Sequence, residues 1–202
     1  MLHLIQSVAD SPVDVMWHDS GVEWPGVPEM FDRLKDAGLV KKLVISRPEI
    51  DAIELKREQL AGKMSASKKD AILLFEPINK TVAENKFDGF AMGLRAEESR
   101  GRAANRRFHG KLYTKKDGMH VCTPVADWTW QDVYAYTAAN TLPLHPIYSA
   151  PLVHYPHRGI IRLSWWASTD QDSLGSIAWI RQVYPEIFNR LEEAFPGISC
   201  RT

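Results

Sequence analysis

Phe90-Ala91-Met92-Gly93-Leu94-Arg95-Ala96-Glu97-Glu98-Ser99-Arg100-Gly101-Arg102 opens apolar and closes in charge. Its first five residues predict a strand, and the polar run that follows predicts a helix starting just after Leu94. In a helix of that register Arg95, Ser99, Arg102 and Arg106 fall at i, i+4, i+7 and i+11, on a single face. Three guanidinium groups and a hydroxyl then converge beyond the end of a strand. Guanidinium forks match the oxygens of phosphate and sulfate in pairs, and free amides at a helix start add to the attraction. Glu98, four residues before Arg102, can orient it through an ion pair. A solvated arginine-rich helix has the same composition. What separates the two is position, because open α/β sheets take their ligands at the carboxyl ends of their strands.

Outward from this stretch, short β-branched or apolar runs alternate with helical patterns, the rhythm of βαβ units. The expected fold class is therefore α/β, a mainly parallel sheet flanked by helices, with a helical C-terminal part. Leu2 to Val8 reads as the end of a helix without its beginning, since it starts periodic and uncapped. Val13 to Trp17 predicts a strand that ends in the polar loop His18-Asp19-Ser20-Gly21. Pro28 suits the first position of a helix over Glu29 to Ala37, with Gly38 as its stop. Leu43 to Ser46 predicts a second strand, Pro48 to Ala61 a helix closed by Gly62, and Lys63 to Lys69 a loop. Lys111 to Tyr113 and Met119 to Cys122 flank Asp117-Gly118, a hairpin signal, expected as an excursion at the sheet edge. Thr129 and Asp132 form a capping box for a helix from Trp130 to Asn140. An irregular proline-rich segment from Leu142 to Trp166 and helices near Ser173 to Val183 and Pro185 to Phe195 close the chain. Two regions are expected: 1–141 as a shortened nucleotide-binding domain, and 142–202 as an irregular loop plus C-terminal helices packed on the same domain.

Bulk composition narrows the partners. The 202 residues suffice for a core without disulfides or metal. Basic and acidic residues both number 25, so no overall field draws the chain to nucleic acid or an anionic membrane, and any anion site is local. Cys122 and Cys200 form no C-x-x-C pair, which fits a reducing cytoplasm. The N-terminus has no signal-peptide pattern, and apolar runs such as Ala71 to Phe75 are far short of the ~20 residues that span a bilayer. A soluble protein is expected.

Gly93-Leu94-Arg95-x-x-Glu98-Ser99-x-x-Arg102 resembles the signature of the phosphoadenosine phosphosulfate (PAPS) reductase family. A second block is similar to that family as well: Pro124-Val125-Ala126-Asp127-Trp128, Asp132-Val133 and Tyr136, followed by Leu142-Pro143-Leu144-His145-Pro146-Ile147-Tyr148. A third is Asp19-Ser20-Gly21-Val22-Glu23-Trp24-Pro25, and the three occur in the family's order. The resemblance implies an adenine-nucleotide α-hydrolase-like fold. It also implies that Asp19 and Gly21 lie near the nucleoside while Arg95, Ser99 and Arg102 face the phosphosulfate. Family members begin with a strand and a Ser-Gly-Gly-Lys-Asp-Ser phosphate loop that runs into a sequence like Leu2-His3-Leu4-Ile5; this chain starts after it, the expectation being a mis-set or shortened N-terminus. The family's Glu-Cys-Gly-Leu-His nucleophile motif is matched here only by Gly197-Ile198-Ser199-Cys200-Arg201, which makes Cys200 the candidate thiol, with Arg201 able to lower its pKa. Cysteine pairs for an iron–sulfur cluster are absent, so no bound cofactor is expected.

Thiol-dependent reduction of a sulfonucleotide is the implied activity, with a thiol reductant such as thioredoxin as partner and a homo-oligomer left open. Two alternatives stand beside it: an ATP-dependent sulfur-transfer or nucleic-acid-modification enzyme of the same superfamily, and a non-catalytic nucleotide-binding module. Lys63-Met64-Ser65-Ala66-Ser67 resembles a class I synthetase loop but lacks its companion element. His145, His154 and His157 sit in a proline-rich segment without metal-ligand spacing, so no metal site is expected, although His145 or Arg162 is within reach of a substrate if this segment folds over it. Trp128, Trp130, Tyr134 and Tyr136 are spaced mostly for core packing, as are Ile177, Ile180 and Tyr184.

Overall fold

The computed structural model describes residues 1–151 and 176–198. Its contacts group these residues into two compact units, each assembled from three stretches: 1–15, 32–43 and 82–143 in the first, and 16–31, 44–81 and the described residues from 144 onward in the second.

Strands β1 (Asp14–His18) and β2 (Lys42–Ser46) pair with each other and pass from one unit into the other. Lys41 N–H donates to the Val13 carbonyl and Asp19 N–H to that of Ser46, so the register ascends in both strands and they run parallel. Helix α1 (Leu2–Gln6) precedes β1, and the helix between the two strands, α2 (Val27–Asp36), ends where Gly38 takes φ +69°. That left-handed residue lets Gly38 N–H reach Lys35 O and Leu39 N–H reach Leu34 O, the two bonds that close a Schellman stop. Helix α3 (Ala52–Leu60) stops the same way at Gly62.

The expected helix start at Pro48 is corrected: α3 begins after Asp51, whose carboxylate accepts the N–H groups of Ile53 and Glu54 at 2.9 and 3.0 Å. A side-chain acceptor for two free amides outweighs the preset φ of a proline. The loop expected from Lys63 to Lys69 is also corrected from Ala66 onward. Ser65 caps α4 (Ala66–Asp70), which runs through a π-helical turn at Ala71–Phe75 into α5 (Glu76–Glu84).

The first unit holds a three-stranded sheet in the order β3 (Gly89–Ala91), β5 (His120–Cys122), β4 (Leu112–Thr114). The Asp117-Gly118 hairpin forms as expected, with Gly118 at φ +87° and Asp117 Oδ1 accepting Met119 N–H. It is more than an excursion, because β5 lies between the other two strands, parallel to β3 and antiparallel to β4. Val121, facing Phe90 in that register, is 1% exposed. Next come α6 (Arg100–His109), which precedes β4, and α7 (Trp130–Ala139), opened by the predicted Thr129/Asp132 capping box.

The second unit buries a core built on Trp24, Leu55, Leu73, Ile147, Trp179 and Ile180. Helices α8 (Ser176–Val183) and α9 (Pro185–Ala194) supply much of it. Ile177 and Ile180 are buried in this core and Tyr184 packs against it, as their spacing predicts. No helix of the described residues is long and apolar enough to cross a membrane.

Candidate functional site

In the first unit β3 ends at Ala91, and Met92 N–H extends its ladder by one bond to the Cys122 carbonyl at 2.8 Å. The single helix expected just after Leu94 does not form. Arg95 is extended (φ −120°, ψ 141°), Ala96–Glu98 make one 3₁₀ turn, and Ser99 is extended again before α6 starts at Arg100. Two successive side-chain caps cause this. The Glu98 carboxylate folds back to accept Arg95 N–H at 3.2 Å, and Ser99 Oγ accepts Arg102 N–H at 3.1 Å. Each cap satisfies amides that a continuous helix would satisfy through its own carbonyls.

The arginines nevertheless gather. Arg95, Arg102 and Arg106 line one cavity of about 100 Å³ with Leu94, Asn105 and Tyr113. That is several times the ~10–15 Å³ a water needs, and enough for a tetrahedral oxyanion. Ser99 is exposed, does not line the cavity, and has its hydroxyl engaged as a cap.

Carboxylates hold the guanidinium groups. Glu98 Oε1 accepts from Arg95 Nε and Nη2 at 3.3 and 3.2 Å, Glu97 takes Nη1 at 2.5 Å, and Glu98 Oε2 pairs with Arg102. Glu98 and Arg95 are each 12% exposed. Arg106 grips both Asp127 oxygens at 2.7 and 2.8 Å, and Lys111 joins them at 2.9 Å. Arg106 and Lys111 hold the Asp127 carboxyl far below the usual carboxylate range. Among the described residues this network sets Arg95, Arg102, Arg106 and Lys111 against Glu97, Glu98 and Asp127, an excess of one positive charge. Such an array can bind a small anion bidentately without first ordering its own side chains.

In the second unit the loop after β1 carries the other candidates. Asp19 Oδ1 accepts Gly21 N–H at 3.0 Å, and Gly21 sits at φ +79°. Asp19 Oδ2 accepts Arg47 Nε at 2.8 Å. Ser20 is buried and donates both its N–H and its hydroxyl to Glu23 Oε1, at 3.2 and 2.7 Å. Burial pushes the Glu23 carboxyl above its ordinary value of 4.5, against the pull of the Ser20 bonds. A carboxyl raised on folding loses stability as pH rises from its unfolded pKa through its folded one, because the native fold must then carry the charge. Glu23→Gln keeps an acceptor for Ser20. It is therefore expected to raise the melting temperature at about pH 7.5 and to match the parent at about pH 3.5, where both side chains are neutral. Parallel thermal melts at the two pH values check this.

Beside it, burial lowers the pKa of His18, with the Leu73 carbonyl and Asp19 pulling it partly back. His145 is 1% exposed and its Nδ1 accepts Ile147 N–H at 3.1 Å, capping a 3₁₀ turn. The aromatic residues around α7 are not core: Trp128 stacks obliquely on Tyr136 and Trp130 meets Tyr134 edge-on, all four half-buried. His3 Nδ1 meets the Tyr136 hydroxyl at 2.8 Å. Cys200, Arg201, His154, His157 and Arg162 lie outside the described residues, among which no group of metal-ligating side chains occurs. Neither the Arg47 pairing nor the role of Asp127 is legible in the sequence, since a single arginine after a strand and a lone aspartate carry no periodic signal.

The model of the phosphoadenosine phosphosulfate reductase domain matches residues 1–183. The chain belongs to this family. Among curated members of the PAPS reductase family, the phosphoadenosine 5′-phosphosulfate reductase of Vibrio cholerae is 29% identical over 153 residues, covering 73% of this chain and 57% of the relative. That of Xanthomonas campestris is 28% identical over 152 residues, 73% of this chain and 60% of the relative. The chain thus spans less than two thirds of the length of these relatives. Among solved PAPS reductase folds, the phosphate complex of the Candida auris enzyme superimposes with a TM-score of 0.58 at 18% identity, over 83% of this chain and 75% of that one. The α/β fold expected from the sequence is shown by this likeness.

Proposed function

We propose that this chain binds an adenosine phosphosulfate-type nucleotide and acts in its thiol-dependent reduction. The observation that carries the reading is the arginine cavity, where Arg95 and Arg102 are held by one carboxylate and Arg106 by another. In this reading Arg95 and Arg102 neutralise the anionic ligand and the charge growing on the departing phosphate. Glu98 orients both, Ser99 keeps Arg102 in register through its cap, and Asp19 and Gly21 serve the nucleoside.

The Cys200 thiolate attacks the sulfur of the sulfo group, the bond from sulfur to the phosphate oxygen breaks, and adenosine 3′,5′-bisphosphate leaves. A second thiol, from a reductant of the thioredoxin kind, attacks the cysteine sulfur of the resulting S-sulfocysteine. Sulfite departs with the bonding pair and a disulfide remains, so two thiols are oxidised as the sulfur is reduced. Chemistry of this kind belongs in a reducing compartment such as the cytoplasm. Incubation with PAPS and reduced thioredoxin is expected to release sulfite, and Cys200→Ser to abolish it while leaving binding of adenosine 3′,5′-bisphosphate intact. Pyrophosphate release from ATP without sulfite from PAPS overturns the reading in favour of an adenylylating enzyme; nucleotide binding with no turnover of either substrate overturns it in favour of a binding module.

A further inference from the structure

Between Glu98 and Asp117 the chain holds no acidic residue, while arginine and lysine recur throughout. Carboxylates hold four of these cations: Arg102 pairs with Glu98, Arg106 and Lys111 with Asp127, and Lys115 with Asp117. Among the described residues no carboxylate pairs with Arg100, Arg107 or Lys116, and all three are exposed. In a chain whose charges sum to zero, this run is a local positive field.

Helix α6 divides its share between two faces. At 3.6 residues per turn, Arg102, Asn105 and Arg106 fall on one side and line the cavity. Arg100, Ala103, Ala104 and Arg107 fall on the other, with Phe108 at its margin, and all five are exposed. Arg100 and Arg107 stand two turns apart, about 10.5 Å along the axis. The alanines between them leave a low floor that a bulky backbone can approach. Phe108 is 80% exposed. A lone exposed ring carries no message, but this one continues a row of free guanidinium groups.

Two classes of partner suit a positive surface. An acidic protein needs a packed apolar centre within roughly 800 Å² on each side, and alanines flanked by arginines do not supply one. A single nucleic-acid strand needs only cations along its backbone and a planar face for a base. At one phosphate per ~3.4 Å of a stacked strand, the span from Arg100 to Arg107 corresponds to about three nucleotides. Phe108 then lies at the end of that span, where the next base can stack.

We infer that the outer face of α6 binds single-stranded nucleic acid, with Arg100 and Arg107 on its phosphates and Phe108 against a base. The opposite face of the helix keeps the cavity, so this site is independent of the nucleotide reading above.

Fluorescence anisotropy of the full chain with a labelled oligothymidylate of about 12 nucleotides tests it. Saturable binding is expected at about 50 mM salt, weakening roughly sevenfold at about 200 mM, the loss for two phosphate contacts on a single strand. Arg100→Ala combined with Arg107→Ala is expected to lower the affinity about tenfold or more and to remove most of the salt dependence. Phe108→Ala is expected to weaken binding about 5- to 100-fold and leave the salt dependence as it was. Because these side chains are exposed, melting temperatures are expected to match the parent. Absence of binding at the lower salt overturns the assignment, as does binding indifferent to these substitutions. Displacement of the strand by adenosine 3′,5′-bisphosphate puts it in the cavity and also overturns the assignment. Polyglutamate bound as tightly as the strand, with Phe108→Ala affecting neither, marks a surface for acidic polypeptide and overturns it too.

Discussion

Glu98→Ala is expected to lower the unfolding free energy by about 3 kcal/mol, the upper end for losing hydrogen bonds to a mostly buried charged group. Glu98 serves the Arg95 amide, Arg95 Nε and Nη2, and Arg102, from a side chain only 12% exposed. Its removal leaves Arg95, itself 12% exposed, with Glu97 as its remaining carboxylate and frees the extended backbone at Arg95. Arg102 is 37% exposed, so solvent replaces more of what it loses. For a chain of this size the melting temperature is expected to fall by roughly 6–12 °C. Affinity for inorganic phosphate or adenosine 3′,5′-bisphosphate is expected to drop about 10- to 100-fold as the two guanidinium groups lose their common anchor. Glu98→Gln retains the amide acceptor but not the charge and is expected to fall midway. A variant that melts with the parent would show that this carboxylate holds nothing in place.

The other large effect is expected in the second unit. Trp24→Ala removes a side chain that is 2% exposed and packs against Trp179 and Tyr184 at ring-centroid distances of 5.6 and 5.2 Å. Truncating a buried tryptophan costs about 3–5 kcal/mol, mostly through the cavity left behind. Trp179 cannot follow it inward, because its indole N–H is held by the Pro151 carbonyl at 2.7 Å. A melting temperature lower by roughly 6–20 °C is expected. Trp24→Phe, which keeps an aromatic ring in the cluster, is expected to recover most of it. Denaturant titrations compare the three proteins, and equal midpoints for parent and Trp24→Ala would rule out this cluster as the anchor of the loop. That loop carries Asp19, Ser20 and Glu23, so the alanine variant is also expected to loosen the hold of Asp19 on Gly21 and Arg47.

Much of this architecture is legible residue by residue. Gly38 and Gly62 end helices because the left-handed stop suits a residue without Cβ, and Asp117-Gly118 makes its turn for the same reason. The Thr129/Asp132 box is a purely local arrangement and forms as its letters indicate. The failures are those in which a side chain outcompetes a pattern. Asp51 moves a helix start past Pro48, Ser65 turns an expected polar loop into a helix, and Glu98 with Ser99 breaks the face on which Arg95, Ser99 and Arg102 were to align. Arg95, Arg102 and Arg106 still meet at one cavity although the helical register that suggested it is wrong. The pairings of Arg106 with Asp127 and of Arg47 with Asp19 join residues 21 and 28 positions apart, a separation at which spacing carries no information.

The interleaving of the two units has a consequence for how the polypeptide matures. Both β1 and β2 begin in one unit and end in the other, and each unit gathers residues from beginning, middle and end of its span. During synthesis the first unit cannot close until residue 143 has left the ribosome, and the second must wait for the terminal helices. Loop closure over such separations is slow relative to local helix formation. A stop before residue 143 therefore takes residues from both units, whereas one just after it takes them from the second unit alone.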